Sequence, residues 1–539
     1  VTTHDPVRFW ASVQPKRVAL RTPNTVWTYE ELDDAVWSTA DALLERGLGS
    51  GEHVALEFDA DDSLAMMVAF HAAQRIGLLP VLVKGQATAE ERQHMRERAQ
   101  VDLILTAGDL DIPRLDDDAA GESRAVTPGD GGATSTGANG RAASIGTPAM
   151  ATNGSAGTAA HTGAATPTPA PEAWERDQEL FLERRLDAPA AVVFTSGTSA
   201  GPRAVVLTHG NFLWNALGSA RNLGVHANDL WLCCMPLHHV GGLSIPVRCA
   251  MYGTAALLHP GFDPARVSRA IDEEGVTLLS LVPTMLARLL DDRGDRPFPA
   301  SLRAALIGGA AAPAAVLERA AALSMRALPT YGLTEAASQV ATLPPREWPR
   351  GLASAGRPLP YTQVEIRGSD GRAVAPGVEG EIVVRGPTVM AGYLGTPEET
   401  QAAMDGRWLR TGDVGAWDDE GRLLVLDRRA DRIVTGGENV SPEEVETVIV
   451  SHPAVAQACV VGLPSREWGS EVAAAVVLLP GRSLSLEELR AHAGSRLSGF
   501  KLPRYLVAVD ALPRSAGGKL LRRVVRERLL DEMAKQKHP

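Results

Sequence analysis

The run Ala191-Val192-Val193-Phe194 passes without a break into Thr195–Arg203, TSGTSAGPR. A short apolar run closed by a Gly/Ser/Thr cluster reads as a buried strand ending in a polar loop. Small hydroxylated residues and glycines let backbone N–H groups turn toward one centre. Thr195, Ser196, Gly197, Thr198, Ser199 and Arg203 therefore form a candidate anion cradle suited to a nucleotide triphosphate. The Walker spacing G-x-x-x-x-G-K-[ST] is absent, and taken alone the loop also reads as an ordinary turn.

The same α/β rhythm runs on both sides of this loop. Thr28-Tyr29-Glu30-Glu31 opens a helix with Leu32, Val36, Ala40, Leu43 and Leu44 on one face, and Gly47, Gly49 and Gly51 break it. His53–Phe58 and Val101–Thr106 read as strands, and Leu64–Val83 as a buried helix running into a strand rather than a membrane span. Further on come strand Thr277–Ser280, helix Thr284–Leu290 and strand Ala304–Ile307. Residues 356–426 are strand-rich, with turns at Asp370-Gly371, Pro376-Gly377, Asp405-Gly406 and Glu420-Gly421. The pattern predicts a large α/β domain over 1–428 and a small α+β module over 429–539, without internal repeats. One stretch breaks it: 34 of the 40 residues from Gly131 to Ala170 are Gly, Ala, Ser, Thr or Pro. Such a composition offsets little ordering entropy, so about 122–172 reads as a low-complexity insertion.

Composition narrows the function. Lys plus Arg is 53 and Asp plus Glu is 65, a net charge of −12. That balance argues against nucleic acid or an anionic membrane as the main partner. Four cysteines without a C-x-x-C pair offer neither a disulfide framework nor a zinc site. The first residues show no signal peptide, so the expected setting is the cytoplasm. Self-association into a homo-oligomer is left open.

Three further constellations carry chemistry. Thr330–Glu335, TYGLTE, places an aromatic, a glycine, a hydroxyl and a carboxylate together. They suit a base, a phosphate and Mg²⁺, which takes one or two carboxylates plus substrate phosphates; the alternative is a helix capped by Thr334. WLRTGD and LDRRAD offer Asp413 for the two hydroxyls of a ribose and Arg428 as a planar fork for oxygens; a strand end with surface ion pairs is the other reading. Thr435-Gly436-Gly437-Glu438-Asn439 leads into a helix start at Ser441, which caps, with Pro442 in the first turn and Glu444 completing a capping box. The glycine loop suits a narrow channel. Gly517-Gly518-Lys519 puts a lysine on a loop able to reach a site from outside, or merely into solvent.

In this order and spacing the motifs resemble the adenylate-forming superfamily of acyl- and aryl-CoA synthetases, luciferases and peptide-synthetase adenylation domains. The likeness runs from about Thr28 to Arg523. Within the superfamily, MPLHHVGGLSIPVRCAMYG, VTLLSLVPTMLARLL and LDRRADRIVTGGENVSPEEVE most resemble o-succinylbenzoate–CoA ligases. The resemblance implies ATP, CoA, Mg²⁺ and an organic acid, joined through an acyl-adenylate. It assigns Thr195–Ser199 to the phosphate loop and Gly309, Ala310 and Tyr331 to the adenine slot, with Gly332 also among the ATP-binding residues. Thr334 would touch the α-phosphate, Glu335 would hold Mg²⁺, and Asp413 and Arg428 would bind ribose. Lys519 would bridge carboxylate and phosphate during adenylation. His239 would stand beside the acid, with Ser244 and Arg248 candidates for a second carboxylate. A hinge is implied at Arg429, Ala430 and Asp431, and Gly436 and Gly437 would flank the CoA channel.

The chain departs from the family's TSGTTGKPKG loop. Ala200 replaces a glycine, Gly201 a lysine, Arg203 the second lysine and Ala204 the last glycine. The alternatives are another acyl- or aryl-CoA synthetase, an amino-acid adenylation domain, or a nucleotide-binding pseudoenzyme.

Overall fold

Short apolar runs that are buried at every position set the architecture. In the computed structural model, which describes residues 1–85, 87–110, 112, 184–198, 201–310, 312–368, 370–427, 433–513 and 522–537, Leu230–Cys233, Leu278–Leu281 and Ala304–Ile307 are all such runs. Strands covered on both faces favour parallel pairing between helices. Accordingly Leu278–Leu281 lies between Leu230–Cys233 and Ala304–Ile307, parallel to both. Ala255–Leu258, Val18–Arg21 and Val26–Thr28 extend the sheet on one side, and Ala327–Leu333, Ser338–Thr342 and Arg357–Pro358 on the other. Among the described residues this sheet has nine strands.

A second sheet joins Leu103–Leu105, His53–Phe58, Leu79–Lys84, Pro189–Thr198, Gly201–Thr208 and Gly392–Tyr393 in that order. Helix Ser63–Arg75 feeds it and is buried at every position, with the polar Gln74 and Arg75 paired to Ala190 and Asp5. No helix among the described residues is long and apolar enough to cross a membrane. The helix expected after Thr28 runs Tyr29–Glu45, with Thr28 and Glu31 forming a reciprocal capping box.

The predicted strand-then-loop at Ala191–Arg203 is an antiparallel hairpin. Pro189–Thr198 pairs with Gly201–Thr208, Thr195 lying opposite Arg203 and Thr198 opposite Gly201. The strand therefore continues through much of the expected loop. Sequence alone reads Ser, Thr and Gly as a strand end, whereas partner hydrogen bonding carries the ladder onward.

Residues 356–426 form the expected strand-rich unit, built on Gln363–Arg367, Gly380–Arg385, Trp408–Trp417 and Leu423–Asp427. Beyond it, strands Val455–Ser465, Gly469–Leu478 and Tyr505–Ala508 pack with helices Pro442–Val450, Leu486–Ala493 and Arg522–Lys537. Two apolar clusters, one around Val445 and Val460 and one around Cys459 and Leu529, draw only on residues from Ile433 onward. The helix cap at Ser441 is half of what the sequence predicts. Ser441 Oγ accepts from the Glu444 amide at 3.4 Å, but the Glu444 carboxylate turns away to Lys501 Nζ at 2.7 Å. An ion pair has outcompeted the reciprocal cap. The low-complexity stretch about 122–172 lies outside the described residues.

Candidate active site

The sheet ends converge on a cavity of about 400 Å³. Thr195, His239, Arg248, Gly309, Gly332, Thr334, Glu335, Gly436 and Gly437 all line it, so residues spread over more than 240 positions meet around one space.

Strand Ala327–Leu333 runs parallel to Ala304–Ile307 and then antiparallel to Ser338–Thr342, with a register shift between Tyr331 and Gly332. A Cβ on Gly332 would stand 2.0 Å from the Ser338 carbonyl oxygen, so only glycine fits there. The chain then makes a single 3₁₀ turn, Thr334–Ala336, with Leu333 in the cap position. Thr334 is therefore inside the turn and not its cap. Ala337 and Ser338 follow with φ of +54° and +102°, backbone strain beside the cavity wall. Glu335 is 9% exposed. Its Oε1 accepts from the Tyr393 hydroxyl at 3.0 Å, while among the described residues Oε2 has no hydrogen bond. Burial, and then the adjacent Glu335 charge, push the Tyr393 phenol well above its usual range, so it stays a donor. Glu335 lines the cavity, and a carboxylate oxygen without a hydrogen bond among the described residues suits Mg²⁺ shared with a nucleotide.

Several expected residues stand elsewhere. Arg203 does not line the cavity: it pairs with Glu399 at 2.9 Å and lies 5.1 Å from the Tyr393 ring centroid. It thus backs the Tyr393–Glu335 pair from one layer behind. Tyr331 is also off the wall, packed in the core with Ile366 and Ile382, its hydroxyl on Asp413 Oδ2 at 2.7 Å. It holds Asp413 rather than offering a ring to the cavity. Asp413 and Ala310 do not line the cavity either. Ser244 sits behind the wall, donating to the Gly241 carbonyl at 3.2 Å with Ser338 Oγ 3.4 Å away. The side chains of Ser196 and Thr198, the backbone of Ser199, and Arg428, Arg429, Ala430, Asp431 and Lys519 lie outside the described residues.

Arg248 comes from helix Val240–Tyr252, is 3% exposed and faces the cavity. Its Nη2 donates to Asn215 Oδ1, its guanidinium lies 5.7 Å from the Trp231 ring centroid, and its Nε has no partner. Among the described residues no carboxylate pairs with it. Burial without a counter-charge pulls its pKa down, and only Tyr252 and Cys249 oppose that pull. An arginine so placed favours a bound anion.

His239 caps that helix at its N-terminal end, and its Nε2 lies 2.9 Å from Glu438 Oε2. The His238 ring is 4.5 Å from that of His239. Burial, followed by the nearby His239, holds the His238 pKa well below normal. Lys84, the last residue of strand Leu79–Lys84, reaches the same Glu438 oxygen at 2.9 Å. Burial would raise the Glu438 carboxyl, but His239, then Lys84 and His238, reverse this and hold it far below the usual range. Lys84, Glu438 and Tyr393 were not singled out by side-chain role in the sequence. The signal for Lys84 was its place at the C-terminal end of a parallel strand, where α/β sheets bind ligands.

Residues 7–394 match the AMP-binding enzyme family, and residues 444–519 match the AMP-binding enzyme C-terminal domain. A 2-succinylbenzoate–CoA ligase of Bacillus cereus is 35% identical over 523 residues, 97% of this chain and 98% of that protein. A double mutant of o-succinylbenzoate CoA synthetase from Bacillus subtilis, bound with its product analogue OSB-NCoA, superposes with a TM-score of 0.81 at 31% identity, covering 98% of this chain and 99% of that one. The same Bacillus subtilis enzyme in complex with ATP and magnesium ion gives a TM-score of 0.64 at 31% identity over 97% and 99% of the two chains. With both the large and the C-terminal parts matched and the cavity built from the motifs between them, this chain belongs to the AMP-binding, adenylate-forming enzyme family.

Proposed function

We propose that this protein is an ATP-dependent acid–CoA ligase acting on o-succinylbenzoate, working in the cytoplasm through an acyl-adenylate. The observation that carries the substrate is Arg248: a cavity-facing arginine, 3% exposed, without a carboxylate partner among the described residues. A monocarboxylic acid leaves such a cation without a use, whereas an acid with a second carboxylate matches it. The names of the 35%-identical relative and of the Bacillus subtilis structures support the same acid.

The first step brings an anionic nucleophile to a polyanion. A carboxylate oxygen bonds to the α-phosphorus and pyrophosphate leaves. Mg²⁺, when bound, neutralises phosphate charge for that attack. Glu335 would hold it, Thr334 would donate toward the α-phosphate, and Asp413, aimed by Tyr331, would take the ribose. Lys519 spans carboxylate and phosphate. At an effective dielectric near 20, one cation about 4 Å from one anionic charge is worth roughly 4 kcal/mol, and roughly that amount separates a 10³-fold difference in rate. In the second step the CoA sulfur bonds to the acyl carbon and AMP leaves, the thiol arriving past Gly436 and Gly437. The domain boundary belongs to this reading: 1–428 holds ATP and acid, and 429–539 supplies a different face to each step.

Acid-dependent ATP–pyrophosphate exchange tests the enzyme reading, and CoA consumption across a panel of acids tests the substrate. O-succinylbenzoate should outrun benzoates and fatty acids; a reversed order would make the protein a different acyl- or aryl-CoA synthetase. No exchange with any acid would leave a nucleotide binder.

A further inference from the structure

Glu438 Oε2 is gripped by two side chains from the preceding part of the chain, Lys84 Nζ and His239 Nε2, each at 2.9 Å. Both line the cavity with Glu335 and Arg248. A carboxylate therefore already sits beside the groups assigned to adenylation. The Lys84 contact is an ion pair without hydrogen-bond alignment. Glu438 also belongs to a part of the chain that packs its own apolar cores. The Bacillus subtilis double mutant bound with OSB-NCoA matches this chain at a TM-score of 0.81 and the same enzyme with ATP and magnesium ion at 0.64, at equal identity.

Resting on the acid–CoA ligase reading, we propose that Lys84 is a substrate-binding residue whose ammonium holds the reacting carboxylate of the acid, in the seat that Glu438 fills in the present arrangement. The exchange is carboxylate for carboxylate. Lys84 has a side-chain exposure of 12% and lies 3.6 Å from the Phe500 ring centroid. Phe500 and Glu438 come from the same C-terminal part, so its withdrawal strips Lys84 of both. The freed ammonium then faces the cavity without its carboxylate, and the anionic substrate restores the charge pair. Two cations then face one cavity. Arg248, with no carboxylate partner, takes the remote carboxylate, and Lys84, whose partner exchanges, takes the one that reacts. This pairing selects dicarboxylic acids.

The competing role is a mechanical latch. Lys501 pairs with Glu91 at 2.6 Å, and Lys84–Glu438 mirrors it with the charges reversed. The half-reactions separate the two. Lys84→Met should raise the KM for o-succinylbenzoate in ATP–pyrophosphate exchange at least about tenfold, roughly one lost charge contact, and leave the KM for ATP nearly unchanged. Lys84→Arg should recover part of the loss. Glu438→Gln weakens the competing occupant and should lower the acid KM. Normal acid KM in Lys84→Met, with only CoA transfer slowed, would make Lys84 a latch and overturn the proposal. A raised KM for ATP instead would put phosphate in the seat and overturn it equally. If Lys84→Met does not fold, the direction of the Glu438→Gln shift decides. Wild-type exchange silent with every acid would instead refute the ligase reading itself.

Discussion

Tyr331 donates its hydroxyl hydrogen to Asp413 Oδ2 over 2.7 Å, tying strand Ala327–Leu333 to strand Trp408–Trp417. The phenol is buried at 4% exposure, and the Asp413 amide also donates to Thr411 Oγ1 at 3.1 Å. One carboxylate oxygen is thus fixed, which aims the other.

Tyr331→Phe keeps the ring and removes only this bond. A hydrogen bond to a charged group is worth about 1.5–3 kcal/mol. The variant should stay folded with a lowered Tm, and its KM for ATP should rise on the order of tenfold in pyrophosphate exchange. An unchanged KM for ATP would separate Asp413 from nucleotide binding.

Arg248→Met keeps length and apolar packing while removing the charge. The kcat/KM for an acid with a second carboxylate should fall on the order of 10²-fold or more, because a charge-assisted contact with a buried arginine is lost. For benzoate the change should stay within about threefold, since that acid brings no second carboxylate to be left without its cation. Parallel assays of the two acids check this, and equal losses would assign Arg248 to packing against Trp231.

Much of this site was legible in the sequence because its residues act through local motifs. Strand Ala304–Ile307, the glycines after it, and Thr334-Glu335 lie where the spacing predicts and reach the cavity. What the sequence misplaces are side chains whose partners are remote along the chain. Tyr331 looks like a ring for a base, but a carboxylate 82 positions away turns it into the core. Arg203 looks like a phosphate ligand, but Glu399 lies 196 positions on and claims it. Glu444 looks like a cap residue until Lys501, 57 positions later, outbids the local amide. Lys84 was invisible because a lysine closing a strand is ordinarily a solvated lysine; only the arrival of Glu438 and Phe500 shows that it is buried.

Glu335→Gln removes the anionic ligand while preserving an acceptor for Tyr393. Pyrophosphate exchange should drop on the order of 10²–10³-fold, the scale of losing one charge-stabilising group. Titrating Mg²⁺ should show half-saturation displaced upward and partial recovery at high concentration. A normal Mg²⁺ dependence would remove Glu335 from the metal site.

Stability should fall with acidity above the range where carboxylates titrate. Burial lowers His71 from 6.5 to about 3, with Asp5 partly opposing, and lowers His209 likewise to about 3. Both stay neutral when folded but take a proton when unfolded below about 6.5. Their contribution is complete above that pH and is lost as pH falls toward 3, by up to about 1.4 kcal/mol per pH unit for each group. Asp5, held low by Arg184 and Arg75 against the cost of burial, adds a loss below about pH 4 in the same direction. Urea midpoints at pH 7, 6 and 5 should decline, and His71→Leu should flatten the slope by about one group's share.

Substitution at Gly437 tests the proposed CoA passage apart from the first half-reaction. Its φ is +90°, and a Cβ there would stand 3.4 Å from Val282 Cγ2 and 3.8 Å from Met285 Cε, on the cavity wall. Gly437→Ala adds about 1 kcal/mol of left-handed backbone strain and narrows the passage beside Val282. The KM for CoA should rise on the order of tenfold, while pyrophosphate exchange, which needs no thiol, should stay within about twofold of wild type. Gly436→Ala is the harsher neighbour, since its Cβ would meet Trp468 Cε3 at 2.9 Å and force the indole aside. It should lower thermal stability as well as CoA affinity. If Gly437→Ala instead cut exchange and CoA transfer equally, the glycine pair would line the acid side of the cavity and the thiol would have to enter elsewhere.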